Sequence, residues 1–145
     1  MSTQLPDSID QDTPAASIQA YEIAVTQRTG YLFVTVSGEN TVGTIGRYSA
    51  DIQAACLRLG QHRVLVVVNL RGPRLSMLDV YKTVTTDSDQ AAGMGMHVAY
   101  VDLRPEPSIQ NMQIAEDVAV TRGVRVRTFT DIGMAETWLL DATTP

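Results

Sequence analysis

Hydrophobic and polar residues alternate in two short segments near the start of the chain. The apolar positions are Tyr21, Ile23 and Val25 in the first segment, and Leu32, Val34 and Val36 in the second. Alternation with a period of two is typical of a strand with one buried face. The polar turn 27–30 between the segments closes with a glycine, so the pair is predicted to form a β-hairpin.

A helical pattern follows the hairpin. Apolar or small residues recur at steps of three and four, at Val42, Ile45, Ser49, Ile52, Cys56 and Leu59. This spacing places them on one face of a helix, and Gly60 stands where a C-cap glycine is common. Because Gly43 and Gly46 lower the helix propensity of the first turns, the helix is predicted to begin near Arg47.

Two continuous apolar segments, 63–70 and 97–103, have the character of strands buried on both faces. Such strands occupy the middle of parallel sheets. The segment 75–94 between them has helical spacing. Its apolar stripe consists of Met77, Val80, Val84 and Ala91, with Tyr81 beside it. Threonines at 83, 85 and 86 lower the helix propensity of this segment and allow a break in it.

The rest of the chain continues the same alternation. Prolines in segment 104–107 end the second buried strand, and Ser108 is predicted to cap a helix that ends at Gly123. Segment 124–129 alternates, which indicates a strand near a sheet edge. Thr130 or Asp131 is predicted to cap the last helix. The inward positions predicted for the two helices are Ile109, Met112, Ala115 and Ala119, then Ile132, Ala135, Trp138 and Leu139.

The predicted element order is therefore β-β-α-β-α-β-α-β-α. Strands that alternate with helices imply right-handed crossovers and parallel pairing. We predict an α/β fold with a single mixed, mostly parallel sheet of about five strands and helices packed on it. The domain is expected to span residues 18–142. Residues 1–17 are rich in small and polar residues without periodicity, and we expect a disordered leader there.

The composition of the chain bears on the cellular compartment and on the classes of binding partner. The 145 residues are 44% hydrophobic and 19% charged, which is typical of a soluble globular domain. No apolar run is long enough to span a bilayer, and the N-terminus does not resemble a secretory signal. Cys56 is the only cysteine, so no intrachain disulfide forms, and we expect a cytoplasmic protein. The net charge of −5 disfavours binding to nucleic acid.

Few side chains are candidates for chemistry. Cys56 is in register with Ile52 and is expected to be a buried core residue. His62 and His97 have no second histidine or cysteine at ligand spacing, so no metal site is predicted. No nucleophile motif and no nucleotide-binding glycine loop occur. We therefore expect no cofactor and no enzymatic activity, with a small enzyme of unrecognised type as the alternative.

Three arginines follow the two buried strands. Arg71 and Arg74 come after the first strand, and Arg104 comes after the second. Ligands of parallel sheets gather beyond the carboxyl ends of the strands, and guanidinium groups bind phosphates and carboxylates. Arg71, Arg74 and Arg104 are therefore the candidate anion-binding residues. The alternative is three solvated arginines on surface loops.

Ser76 has two interpretations. As an N-cap, its hydroxyl satisfies a free backbone N–H of the helix that follows. As a phosphoacceptor, it would place a dianion at the positive end of that helix, with Arg74 close by. The cap is the interpretation that we favour.

Two segments carry a resemblance to a known family. Residues 126–139 have the sequence Val-Arg-Thr-Phe-Thr-Asp-Ile-Gly-Met-Ala-Glu-Thr-Trp-Leu, and residues 32–38 have Leu-Phe-Val-Thr-Val-Ser-Gly. Together with the element order, these segments resemble the SpoIIAA-like branch of the STAS superfamily over about residues 19–141. The resemblance implies a sheet backed by helices and a non-enzymatic regulatory role. Members of this superfamily include anti-sigma factor antagonists, and some SpoIIAA-like members are proposed to bind lipids or membranes.

The chain departs from the antagonists at one motif. The antagonists carry an Asp-Ser pair, whose serine is phosphorylated, at the start of the helix after the central strand. In this chain Ser76 follows Leu75, without an aspartate before it. The resemblance therefore implies a module that binds a protein partner or a small amphipathic or anionic ligand such as a lipid, with a phosphorylation switch at Ser76 as the alternative. Peripheral membrane contact and a homodimer through the exposed edge of the hairpin are further expectations.

Overall fold

A computed structural model describes residues 21–104 and 109–141. The strands are β1 (Tyr21–Arg28), β2 (Tyr31–Glu39), β3 (Arg63–Arg71), β4 (His97–Asp102) and β5 (Arg125–Phe129). The helices are α1 (Val42–Leu59), α2 (Met77–Gly93), α3 (Ile109–Thr121) and α4 (Ile132–Leu140). The predicted element order and α/β class are confirmed. The predicted leader at 1–17 and the predicted cap at Ser108 lie outside the described residues.

The five strands form one mixed sheet in the order β1-β2-β3-β4-β5. The hairpin strands β1 and β2 are antiparallel, and every later pair is parallel. The continuous apolar strand β3 lies at the centre, because a strand buried on both faces needs neighbours and covering helices on each side. The strand β5, with its alternating pattern, lies at the sheet edge, as predicted.

Three helices cover one face of the sheet, and the fourth covers the other. Each parallel strand pairs beside the one before it, so crossovers of a single hand place α1, α2 and α3 on the same face. The core of that face includes Val66 and Val68 of β3, with Ile52 of α1. On the opposite face, Leu65 and Val67 pack with α4. Successive strand residues thus divide between two separate cores.

The helix α1 begins earlier than the sequence predicted. It starts at Val42 and not near Arg47, so that prediction was wrong. The N-cap is Thr41, whose Oγ1 accepts a hydrogen bond from the Thr44 backbone N–H at 3.1 Å. Because the cap and the burial of Thr44 stabilise the first turn, they offset the low propensity of the glycines. The predicted C-cap at Gly60 is confirmed by its left-handed backbone, with φ of 64°.

The helix α2 continues unbroken through its three threonines. The hydroxyl of Thr86 donates to the Lys82 carbonyl at 3.2 Å, so it bonds within the helix instead of interrupting it. The predicted inner stripe holds for Val80 and Ala91, but the side chain of Met77 is 52% exposed. No helix among residues 21–104 and 109–141 is both long enough and apolar enough to cross a membrane.

Candidate functional site

A cavity of about 240 Å³ lies between the sheet and the helices α1, α2 and α3. Its floor includes Val66 and Val68 of β3, with Val98 and Tyr100 of β4. Val66 and Tyr100 are directly paired across the parallel ladder, so one row of the sheet crosses this floor. The walls come from α1 and α3, and α2 lies over the top. The sheet therefore forms a rigid base for the cavity.

The helix α2 accounts for the empty space. It packs against its neighbours α1 and α3 more closely than against any strand. The side chains that it directs toward the cavity are Val80, Thr83, Val84, Asp87 and Ala91. Because these side chains are short, they do not fill the gap between the helix and the sheet. The gap is lined mostly by apolar side chains, which is typical of ligand-binding pockets.

Two of the three predicted arginines, Arg74 and Arg104, line this cavity. They lie on the loops after β3 and β4, at the carboxyl ends of these strands, which is where parallel sheets commonly bind ligands. The Arg104 guanidinium donates to the Gly72 carbonyl at 3.4 Å, so the loop after β4 contacts the loop after β3. The two loops together form one end of the cavity, which we call the arginine end.

Neighbouring side chains hold the loop that carries Arg74. The side-chain amide of Asn40 donates to the Pro73 carbonyl at 2.9 Å, and that of Asn111 donates to the Leu75 carbonyl at 3.0 Å. Asn40 follows β2, and Asn111 is on α3, so the loop is tied to both sides of the cavity. These bonds keep Arg74 close to the cavity without a contribution from its own charge.

The structure separates Arg71 from the other two arginines. Arg71 is the last residue of β3 and directly follows Leu70, which lines the cavity. Because adjacent strand residues point to opposite faces, the Arg71 side chain is directed away from the cavity. Its Cα is paired with that of Glu39 on β2. The structure therefore brings together Arg74 and Arg104, and it does not bring Arg71 to them.

The cavity has a second polar region that was not predicted from the sequence. Ser49 of α1 donates to the Asp87 carboxylate of α2 at 2.9 Å. The hydroxyls of Tyr48 and Tyr100 lie 3.1 Å apart and share a hydrogen bond. All four residues line the cavity. A signal was present for Asp87, since it lies at helical spacing from Val80, Val84 and Ala91 and is the acidic member of that stripe.

Burial shifts the proton affinities of this region. The pKa of Asp87 rises from 3.8 to about 6, because burial disfavours the charged carboxylate, while the bond from Ser49 opposes this shift. Burial raises the pKa of Tyr100 to about 12. Burial, with Tyr100 as its neighbour, also raises the pKa of Tyr48 well above its usual range. Both phenols therefore stay protonated at neutral pH and keep their hydrogen-bond donors.

The remaining candidate residues lie away from the cavity lining. The Ser76 hydroxyl accepts a hydrogen bond from the Asp79 N–H at 3.1 Å, so Ser76 is the N-cap of α2. Cys56 is buried in the core, as predicted, and burial raises the pKa of its thiol. His97 of β4 packs against Trp138 of α4, with ring centroids 4.8 Å apart. His62 is exposed.

Among residues 21–104 and 109–141, no group of histidine, cysteine and acidic side chains could hold a metal ion. The chain matches no model of a known protein family and no curated protein. The cavity combines an apolar floor, two arginines with the carboxyl group of Asp102 at one end, and a set of hydroxyls with the carboxyl group of Asp87 along its wall. Such a lining can hold the apolar body of a small molecule and can bind polar groups at two separate places.

Proposed function

We propose that the protein is a non-enzymatic binding module for a small amphipathic ligand with an anionic head group. The apolar body of the ligand lies between the sheet and α2, and the head group binds at the arginine end. The observation that carries this proposal is the mostly apolar cavity that has Arg74 and Arg104 in its lining. The resemblance to the SpoIIAA-like branch of the STAS superfamily favours the same non-enzymatic class.

The volume of the cavity suits a small ligand with one apolar chain. At about 240 Å³, the cavity lies just below the range of roughly 300–1,000 Å³ that is common for small-molecule pockets. Apolar surface that moves from water into the cavity contributes about 25 cal/mol per Å², so a snug chain binds more strongly than a short one.

The arginine end contains two guanidinium groups and one carboxyl group, that of Asp102. The excess of basic groups favours an anion. A guanidinium group binds a carboxylate or phosphate through charge-assisted, often bidentate hydrogen bonds. The helix α2 begins three residues after Arg74, but Asp79 in its first turn offsets the partial positive charge of the N-terminus, so the attraction comes from the two guanidinium groups. A carboxylate or a phosphate head is therefore preferred over a neutral head of the same size.

A direct test is to titrate the protein with decanoate and with decanol by isothermal titration calorimetry. We expect decanoate to bind about tenfold or more tightly than decanol, because only decanoate forms charge-assisted bonds. Replacing Arg74 and Arg104 together by alanine should remove this preference. Arg71→Ala is the matched control, since Arg71 is directed away from the cavity, and it should bind decanoate as the unaltered protein does.

Two results would contradict the proposal. One is that the protein binds neither probe. The other is that the variant without Arg74 and Arg104 still prefers decanoate to decanol.

The alternative function, that of an enzyme, is favoured by one observation, the raised pKa of Asp87 in a cavity wall. Hydrolysis of a chromogenic decanoyl ester, abolished by Asp87→Asn, would support that alternative. We expect no turnover.

A further inference from the structure

The cavity contains a polar cluster apart from the arginines, formed by Tyr48, Ser49, Thr83, Asp87 and Tyr100, which we call the polar girdle. Tyr48 and Ser49 are adjacent on α1, and Thr83 and Asp87 are one turn apart on α2. Tyr100 comes from the floor of the cavity. Residues four apart on a helix lie on the same face, so the girdle joins three elements around the same space.

Some donors and acceptors of the polar girdle are not used by the hydrogen bonds within it. Within the described part of the chain, the Asp87 carboxylate accepts one hydrogen bond, from Ser49, although an ionised carboxylate has room for about four. The bond between Tyr48 and Tyr100 uses one of their two hydroxyl protons, so the other needs an acceptor outside the pair. Thr83 is 7% exposed, and its hydroxyl has no hydrogen-bond partner among the described residues.

Buried polar groups are nearly always paired in proteins, so unused capacity in a cavity wall favours a polar group on the ligand. We infer that the ligand carries a hydroxyl group on its apolar body, and that this hydroxyl binds the polar girdle while the anionic head binds Arg74 and Arg104. A hydroxyl is both a donor and an acceptor, which matches a wall that offers a carboxylate beside phenols. The inference rests on the proposed function and specifies the class of ligand.

A hydroxyl group suits the polar girdle in both protonation states of Asp87. Burial raises the pKa of Asp87 to about 6, so the carboxyl is mostly ionised at neutral pH and becomes protonated at mildly acidic pH. An ammonium group would be matched only by the ionised form, because it needs that charge to offset its own desolvation. A hydroxyl bonds with either form of the carboxyl, since it can donate to the carboxylate or accept from the acid.

The test compares decanoate with a set of decanoates that carry one hydroxyl at successive positions along the chain. We expect at least one of the hydroxylated probes to bind the unaltered protein about tenfold more tightly than decanoate, as one satisfied buried hydrogen bond predicts. The variants Thr83→Val and Asp87→Leu keep the side-chain size but remove the polar atoms. Each should lose the advantage of the hydroxyl and should still bind decanoate, which also shows that the variant is folded.

Asp117→Leu is the matched control, because Asp117 is an exposed residue on α3. It should retain the preference for the hydroxylated probe. Equal affinities of all probes for the unaltered protein would overturn the inference and leave the proposed function standing. An advantage of the hydroxyl that survives in both girdle variants would also overturn it. Failure of every probe to bind would overturn the inference and the proposed function together.

Discussion

The two faces of the sheet share the same strands but are packed in opposite ways. On the face beneath α4, Ala135 and Leu139 are completely buried against Leu65 and Val101. On the other face, three helices cover the strands and still leave a cavity of about 240 Å³. More covering elements therefore do not produce a denser core.

The way in which the helices pack on the sheet explains this difference. The helix α4 lies directly on β3, β4 and β5, where the small residues Ala99 and Ala135 permit a close approach. The helix α2 packs mainly against α1 and α3, and its short side chains do not fill the space between it and the strands. A layer of helices that support one another can thus span a sheet without filling the space above it.

Each face also buries a titratable group in a different way. On the α4 face, His97 is 2% exposed and packs edge-on against Trp138. On the cavity face, Asp87 is half-buried and bonded to Ser49. Burial lowers the pKa of His97, with Arg125, Arg63 and His62 adding to the shift, and it raises the pKa of Asp87. Both shifts favour the neutral form.

The largest effect should come from truncating the packed face. Leu139→Ala removes a completely buried side chain where the surroundings cannot collapse easily, so we expect the free energy of unfolding to fall by about 2–5 kcal/mol. Urea denaturation measures this change. The control is Leu57→Ala, since Leu57 is 72% exposed, and its loss should be much smaller. Equal losses at the two positions would contradict the dense packing beneath α4.

Enlarging an alanine on each face should separate the two packings further. Ala135→Leu on α4 has no free space, and we expect a loss of about 1–3 kcal/mol in the free energy of unfolding. Ala115→Leu on α3 extends a side chain of the cavity lining into empty space, so it should change stability by about 0.5 kcal/mol or less.

The variant Ala115→Leu should also weaken the binding of decanoate, because the added side chain occupies part of the cavity that the ligand needs. Denaturation and calorimetry on both variants measure these effects. Overpacking at Ala115 as severe as that at Ala135 would show that the cavity face is filled.

A small effect concerns pH, where the two faces should act with opposite sign. The raised pKa of Asp87 means that the folded state binds more protons than the unfolded state between pH 3.8 and about 6, so its contribution to stability falls as pH rises through this window. The lowered pKa of His97 means that its contribution is lost as pH falls below 6.5.

The check is the free energy of unfolding measured by urea between pH 4 and 7.5. Asp87→Asn should remove the decline with rising pH, by roughly 1 kcal/mol or less, because water partly screens a half-buried carboxyl. His97→Gln should remove the loss at low pH. A profile that neither substitution alters would show that these groups titrate alike in the folded and unfolded states.

Local patterns predicted a large part of the fold. The alternation in β1 and β2, the continuous apolar run of β3 and the spacing of α1 each depend on neighbours in the sequence, and the structure confirms these elements. The predicted start of α1 was wrong, because the burial of Thr44 depends on tertiary contacts, which helix propensity does not take into account. The arginine end was only partly recognisable, since Arg74 and Arg104 were singled out together with Arg71.

The sequence by itself determined which residues form strands and helices, the order of these elements, and the burial of residues such as Cys56 and Leu139. These features follow from periodicity, which is a short-range property of the chain. Only the tertiary structure decided that Ser49 meets Asp87 across 38 positions, and that α2 stands away from the sheet. A cavity is unfilled space between elements, and its existence depends on the distances at which they pack, which no local pattern encodes.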